Sequence, residues 1–257
     1  MEKPFLSFFN VSYAYHNLKG ETQAVQDLSF QINEGEFVAI VGPSGCGKST
    51  ILSLVSGIFK PEEGEIKFVD NNKPPMIGYM LQRDHLFPWR TIWSNCMLGL
   101  EIQQEKTAEK VAYAEYLLRE YNLWDVRNKK PDELSGGMRQ RAALIRTLVM
   151  NPDLFLLDEP FSALDFQTRI EVSGDISSII RERGKTVLLI THDLHEAISL
   201  SDRVIVLSSR PAHVVRDIPI LLTCEEKNVL SARNAPEFNE YFKLLWEDLK
   251  KKEEAML

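Results

Sequence analysis

The order of apolar and polar positions divides the chain into stretches of different character. Phe5 to Ser12 and Ala24 to Ile32 read as two strands around a polar turn at Asn17 to Thr22. Glu36-Phe-Val-Ala-Ile-Val41 is a continuous apolar run, the pattern of a parallel strand covered on both faces. A glycine-rich loop follows it, and then a helical pattern from Lys48 to about Gly57. Between residues 86 and 150 the periodicity becomes helical. Val111, Ala114, Leu117 and Leu118 share one face of a segment from Thr107 to Tyr121. Met138, Ala142, Ile145 and Val149 do the same from Gly136 to Met150. Short apolar runs then return at Leu154 to Leu157, Thr186 to Ile190 and Arg203 to Leu207, with helices between them. Pro236 to Lys252 predicts an amphipathic helix with Phe238, Phe242, Leu245 and Leu249 on one side. The simplest architecture is a doubly wound α/β core split by a helical insertion near residues 86 to 150.

Composition changes this picture little. The 257 residues are 44% hydrophobic and 26% charged, a globular balance large enough to bury a core. A net charge of −7 argues against a general nucleic-acid surface. Cys46, Cys96 and Cys224 are far apart and odd in number, which fits a reducing compartment and neither a disulfide framework nor a metal cluster. No stretch approaches the roughly 18 to 20 apolar residues that cross a bilayer, and the start lacks a signal-peptide pattern. Work at a membrane would therefore go through a partner.

Candidate chemistry gathers at strand ends. Gly42, Pro43, Ser44, Gly45, Cys46, Gly47, Lys48 and Ser49, followed by Thr50, match the phosphate-loop pattern between a predicted strand and a predicted helix. Glycines let several N–H groups converge on one anion, and the helix N-terminus adds about half a positive charge. Lys48 is placed to reach the β- and γ-phosphates of ATP, and Ser49 to bind Mg²⁺. Cys46 is most simply a small loop residue. Asp158 and Glu159 follow the Leu154 strand, and Thr191 and His192 follow the Thr186 strand. Parallel pairing would bring all three strand ends to one edge. Asp158 is then a candidate Mg²⁺ ligand, and Glu159 a candidate base or orienter for the attacking water. The competing readings of the acidic pair, helix capping or surface solvation, are outweighed by the four apolar residues before it and by the phosphate loop in the same chain. For His192, a hydrogen-bonded edge residue competes evenly with a catalytic one.

A second helix is also prepared for an anion. Ser135 is a candidate N-cap, and Gly136 and Gly137 allow close approach to the backbone. The run Ser135-Gly-Gly-Met-Arg-Gln-Arg141 resembles the signature of ATP-binding cassette (ABC) proteins, and the resemblance extends over nearly the whole chain. It implies an α/β P-loop NTPase (RecA-like) core with a mostly parallel sheet, N-terminal antiparallel β strands and an inserted α-helical subdomain. One ABC ATPase domain would span 1–257: core at 1–85 and 151–220, helical part at 86–150, helical tail at 221–257. It further implies that Glu159 is the catalytic carboxylate, His192 the switch histidine and Ser162 to Asp165 the D-loop. Gln82 would sense Mg²⁺ and the membrane partner, and Tyr15, in preference to Tyr13, would stack on adenine. Catalysis would rest on Lys48, Glu159 and His192, with Ser49, Gln82 and Asp158 at the metal.

In this family, two subunits sandwich ATP head to tail, which accounts for two anion-ready helix ends in one chain. The resemblance therefore implies a second ATPase subunit, here expected to be an identical copy. The segment Leu86-Phe-Pro-Trp89 is similar to that of importer ATPases serving nitrate, sulfonate, taurine and pyrimidine precursors. Gln82 to Asn95 would meet a separate membrane permease on the cytoplasmic face, with a solute-binding protein acting indirectly. The competing reading makes Phe87, Pro88 and Trp89 a cap on the helical lobe. Other classes are a soluble ABC ATPase of an assembly complex and a P-loop kinase; the signature argues against the kinase.

Overall fold

The computed structural model describes residues 4–18, 20–70, 74–162, 164–224 and 229–253, with side chains to residue 250. Ala163 and parts of the tail lie outside the described residues. Strands β1 (Pro4–Asn17), β2 (Gly20–Asn33) and β4 (Glu63–Phe68) form an antiparallel sheet in the order β2-β1-β4. A second sheet runs β5-β6-β7-β3-β8-β9, from β3 (Phe37–Val41), β5 (Ile77–Met80), β6 (Leu154–Asp158), β7 (Thr186–Ile190), β8 (Arg203–Leu207) and β9 (Val214–Pro219). Its neighbours pair in parallel except β9, which is antiparallel to β8.

The continuous apolar runs have a simple cause. Alternate residues of each parallel strand enter opposite cores. Ala39, Val41, Phe155, Leu157, Val187, Leu189, Val204 and Val206 face a layer of helices. Val38, Ile40, Leu154, Leu156, Leu188, Ile190, Ile205 and Leu207 face α1 (Lys48–Val55) and the antiparallel sheet. All of these positions are therefore buried, and each large aliphatic side chain among them contributes about 1.5–3 kcal/mol.

Between β5 and β6 the chain makes α2 (Ile92–Cys96), α3 (Leu98–Ile102), α4 (Ala108–Glu120) and α5 (Gly136–Leu148). Thr107 caps α4 through Lys110 N, and Ala114, Leu117 and Leu118 bury its apolar face. After β6 come α6 (Phe166–Glu182), α7 (Leu194–Leu200), α8 (Val229–Asn234) and α9 (Phe238–Glu253). On α9, Leu245 and Phe238 are buried, whereas Trp246 is exposed. Arg216 of β9 holds Asp248 of α9 through two nitrogens. The tail thus packs on the core, in two helices where the pattern predicts one. Among the described residues, no helix is long and apolar enough to cross a membrane.

Candidate functional site

The sheet order sets the site. β7 lies between β3 and β6, and pairing matches Ile40 with Ile190 and Ile190 with Asp158. The carboxyl ends of these strands are therefore level, and Gly42, Glu159 and His192 emerge side by side. The β3–α1 loop needs its glycines. Gly45 and Gly47 have φ of 71° and 126°, and a Cβ on Gly47 would lie 2.8 Å from the Ala24 carbonyl oxygen. Lys48 is buried, and its Nζ donates to the carbonyls of Gly42 at 2.8 Å and Pro43 at 2.9 Å. The same ammonium that would meet phosphate oxygens thus braces the loop. Arg210 Nη2 donates to the Gly45 carbonyl at 2.6 Å. Burial raises the Cys46 thiol above its ordinary pKa, which suits a packed small residue rather than a reactive one.

Ser49 Oγ donates to Asp158 Oδ1 at 3.3 Å. Burial raises the Asp158 carboxyl, Ser49 and Lys48 pull it down, and neighbouring Glu159 adds to the rise. A cation would relieve that strain on the charged form. One hydroxyl and one carboxylate, both hard oxygen donors, fit Mg²⁺, which fills its remaining positions with phosphate oxygens and water. No cluster of three or more His, Cys, Asp or Glu suited to a metal occurs among the described residues.

Glu159 adopts φ 45°, a left-handed conformation that is unusual for a non-glycine residue. Its N–H donates to the Ile190 carbonyl at 2.8 Å. Its Oε2 lies 3.1 Å from His192 Nδ1 and accepts from Gln82 Nε2 at 3.1 Å. Gln82 also reaches Ser162 Oγ at 3.4 Å, so its amide stands against Glu159 and Ser162. Ser162 Oγ in turn donates to the Glu159 carbonyl at 3.0 Å.

Tyr15 is 37% exposed at the end of β1, with its hydroxyl 3.0 Å from Thr50 Oγ1. Tyr13 stacks on Phe59 at 5.1 Å and is half-buried, so the two tyrosines divide into a packed ring and an open one. A cleft of about 300 Å³ runs between Gly42–Ser44 and His192 on one wall and Trp246 and Leu249 of α9 on the other.

The second helix end lies elsewhere. Ser135 caps α5 by accepting from Met138 N at 3.3 Å. Gly137 packs against α6, where a Cβ would meet Thr168 Cγ2 at 2.6 Å. Ser135 and Gly136 are exposed. Sequence reasoning missed several supports. Gln140, buried on α5, donates to the Pro160 carbonyl. Arg139 reaches Asp84 Oδ2 at 3.1 Å, and Arg146 donates to the carbonyls of Asp84 and His85 at 2.8 Å, tying α5 to the segment after Gln82. Thr191 Oγ1 donates to the buried Glu196 at 2.6 Å. These contacts join residues with no shared local pattern.

Comparison with known proteins follows the same lines. The sequence profile of a family described as ABC transporter matches residues 25–162. YtlC of Bacillus subtilis (strain 168), an uncharacterized ABC transporter ATP-binding protein, is 44% identical over 95% of this chain and 95% of its own. The taurine import ATP-binding protein TauB of Jannaschia sp. (strain CCS1) is 35% identical over 86% of this chain and 84% of its own. An ATP-binding cassette solved as a dimer in a post-hydrolysis state with ADP and Pi has a TM-score of 0.71 at 31% identity. It covers 84% of this chain and 99% of that one.

Proposed function

Because the chain belongs to the ABC transporter family, as an ATP-hydrolysing subunit homologous to those of solute importers, we propose that two copies enclose ATP between them and drive a separate membrane permease. The Ser135-Gly136-Gly137 helix end of one subunit covers the triphosphate seated on the Lys48 loop of the other. One observation carries this reading: a single chain presents two anion-ready helix ends with different neighbours, one beside β3 and one against α6.

Within each site, N–H groups of Gly42 to Thr50 and the Lys48 ammonium bind the β- and γ-phosphates, and the Tyr15 ring stacks on adenine. Ser49 and Asp158 would hold Mg²⁺, with Gln82 as a further candidate, and the chemistry it would supply there is neutralisation of charge on the phosphoryl oxygens. Glu159 orients the attacking water and accepts its proton at Oε2. His192, 3.1 Å from that oxygen, fixes the carboxylate and faces the γ-phosphate. Two phosphate contacts on opposite subunits favour the closed dimer in ATP, and loss of the γ-phosphate lets it open.

The membrane partner docks on Gln82 to Asn95. Asn95 is buried and brackets the loop, accepting from Phe87 N at 2.7 Å and donating to the carbonyls of Phe87, Arg90 and Thr91. That rigid loop presents Trp89, 70% exposed, with its ring 5.0 Å from Phe87. An indole left so open covers little of the helical lobe, which favours a partner over a cap. The subunit accordingly sits on the cytoplasmic face through its permease, meets a solute-binding protein only indirectly and takes no nucleic acid. Lys48→Ala tests the site directly. Loss of a charge-assisted phosphate contact weakens ATP binding by about 10- to 100-fold in a direct titration. Unchanged affinity contradicts the assignment. Recovery of a soluble scaffold in place of a polytopic membrane protein in the native complex would favour the assembly-type ATPase.

A further inference from the structure

Arg169, in the first turns of α6, lies outside the phosphate loop and the signature, yet its guanidinium joins two loops of the site. Nη2 donates to the Leu164 carbonyl at 3.1 Å, and Nη1 donates to Asp193 Oδ2 at 3.2 Å. Nε is buried without a hydrogen-bond partner and faces Glu196 Oε1 at 3.8 Å. The residues on both sides of His192 are therefore held. Asp193 caps α7, accepting from His195 N at 2.8 Å and Glu196 N at 3.4 Å. Thr191 Oγ1 accepts from Asp193 N at 3.0 Å while donating to Glu196. His192 itself is 61% exposed, with Glu159 its close ionisable neighbour.

These contacts close a ring. Glu159 meets His192; His192 is bonded to Asp193; Asp193 meets Arg169; Arg169 meets the Leu164 carbonyl. The Leu164 N–H returns to the Phe161 carbonyl at 3.1 Å, and Ser162 returns to the Glu159 carbonyl through N–H at 3.2 Å and Oγ at 3.0 Å. A planar fork with fixed donor directions suits this link, because it sets the angle between two loops as well as their distance. Lys48, Ser49 and the other phosphate-loop residues are not members of the ring.

We propose that Arg169 is a positioning residue for hydrolysis, holding His192 against Glu159 by bracing the loop after β7 on the Leu164 carbonyl. The proposal rests on the roles of Glu159 and His192 given above. The contacts of Arg169 are to Leu164, Asp193 and Glu196 and not to the phosphate loop, so it acts on turnover and not on ATP affinity.

The test is a double-mutant cycle in the full-length protein, read by single-turnover ATP hydrolysis, ATP titration and thermal melting. Arg169→Gln is expected to slow hydrolysis by about tenfold or more while ATP affinity stays within about twofold. Arg169→Lys, which keeps the charge and loses the fork, recovers part of that rate. On a His192→Ala background, Arg169→Gln is expected to add less than about a twofold loss, because the group it positions is gone. The same fold-loss on both backgrounds, or wild-type turnover of Arg169→Gln, overturns the proposal. Should Arg169→Gln fail to fold, Asp193→Asn opens the same ring and keeps a cap acceptor on α7, and it is judged by the same cycle. Wild-type turnover of His192→Ala would instead overturn the role of His192 itself, a failure distinct from additivity between the two sites.

Discussion

Glu196 is a buried carboxyl four residues beyond His192, and its environment has a measurable consequence. Burial, with Asp193 beside it, pushes its pKa from the ordinary carboxylate range up to about 7, against the opposing pull of Thr191, Arg169 and His192. The folded chain thus keeps a proton that the unfolded chain releases near the ordinary value. Stability from this group is full at low pH and is lost as pH rises through about 7. Glu196→Gln, neutral at every pH and still able to accept from Thr191, removes that dependence. Its stability relative to the parent should rise between pH 5 and pH 8, by up to about 3 kcal/mol, in urea unfolding. A pH-independent difference would contradict the assignment. Gly47 sets a second constraint at this scale. Its φ of 126° and the Ala24 carbonyl leave no place for a methyl group. Gly47→Ala should cost about 1–3 kcal/mol of stability and weaken ATP binding, since the loop must shift. An unaltered melting temperature together with unaltered affinity would show that the loop tolerates the change.

At the scale of elements, burial on both faces decides what the sequence reveals. β3, β7 and β8 have nearly the bounds that their apolar runs predict, because both sides of those strands are covered. β4, β5 and β9 escape the same reading. Glu63–Phe68 and Val214–Pro219 are half-exposed and rich in charge, and Ile77–Met80 is four residues long. The helices α2 and α3 span five residues each, too short for a clear period. For the site, the phosphate loop, the acidic pair and the capped signature helix are legible because each is local and has a demanding backbone. The ring through Arg169 is not, because its members meet only after β6 and β7 pair. The hold on the loop before α2 is likewise visible only in three dimensions, where Asn95 fixes the backbone that carries Trp89. Trp89→Ala should keep basal ATP hydrolysis within about twofold and cut solute uptake by about tenfold or more in a reconstituted transporter. Undiminished uptake would make Trp89 a structural residue.

For the whole molecule, the sheet collects the loop after β3, the acidic pair after β6 and His192 after β7 at one edge. It leaves the Ser135 helix end against α6. On the proposed reading each chain holds two unlike halves of a site, and head-to-tail pairing of two copies would complete both at once. ATP would then add contacts that exist only in the pair, so it should drive association; a stalled hydrolytic step should preserve the pair. The most direct measurement is the solution mass of the Glu159→Gln protein by light scattering, with saturating ATP and Mg²⁺. The account predicts a shift from the 29.5 kDa of one chain to about twice that value, reversed when ATP is removed. A protein that binds ATP fully and keeps the mass of a single chain would contradict it.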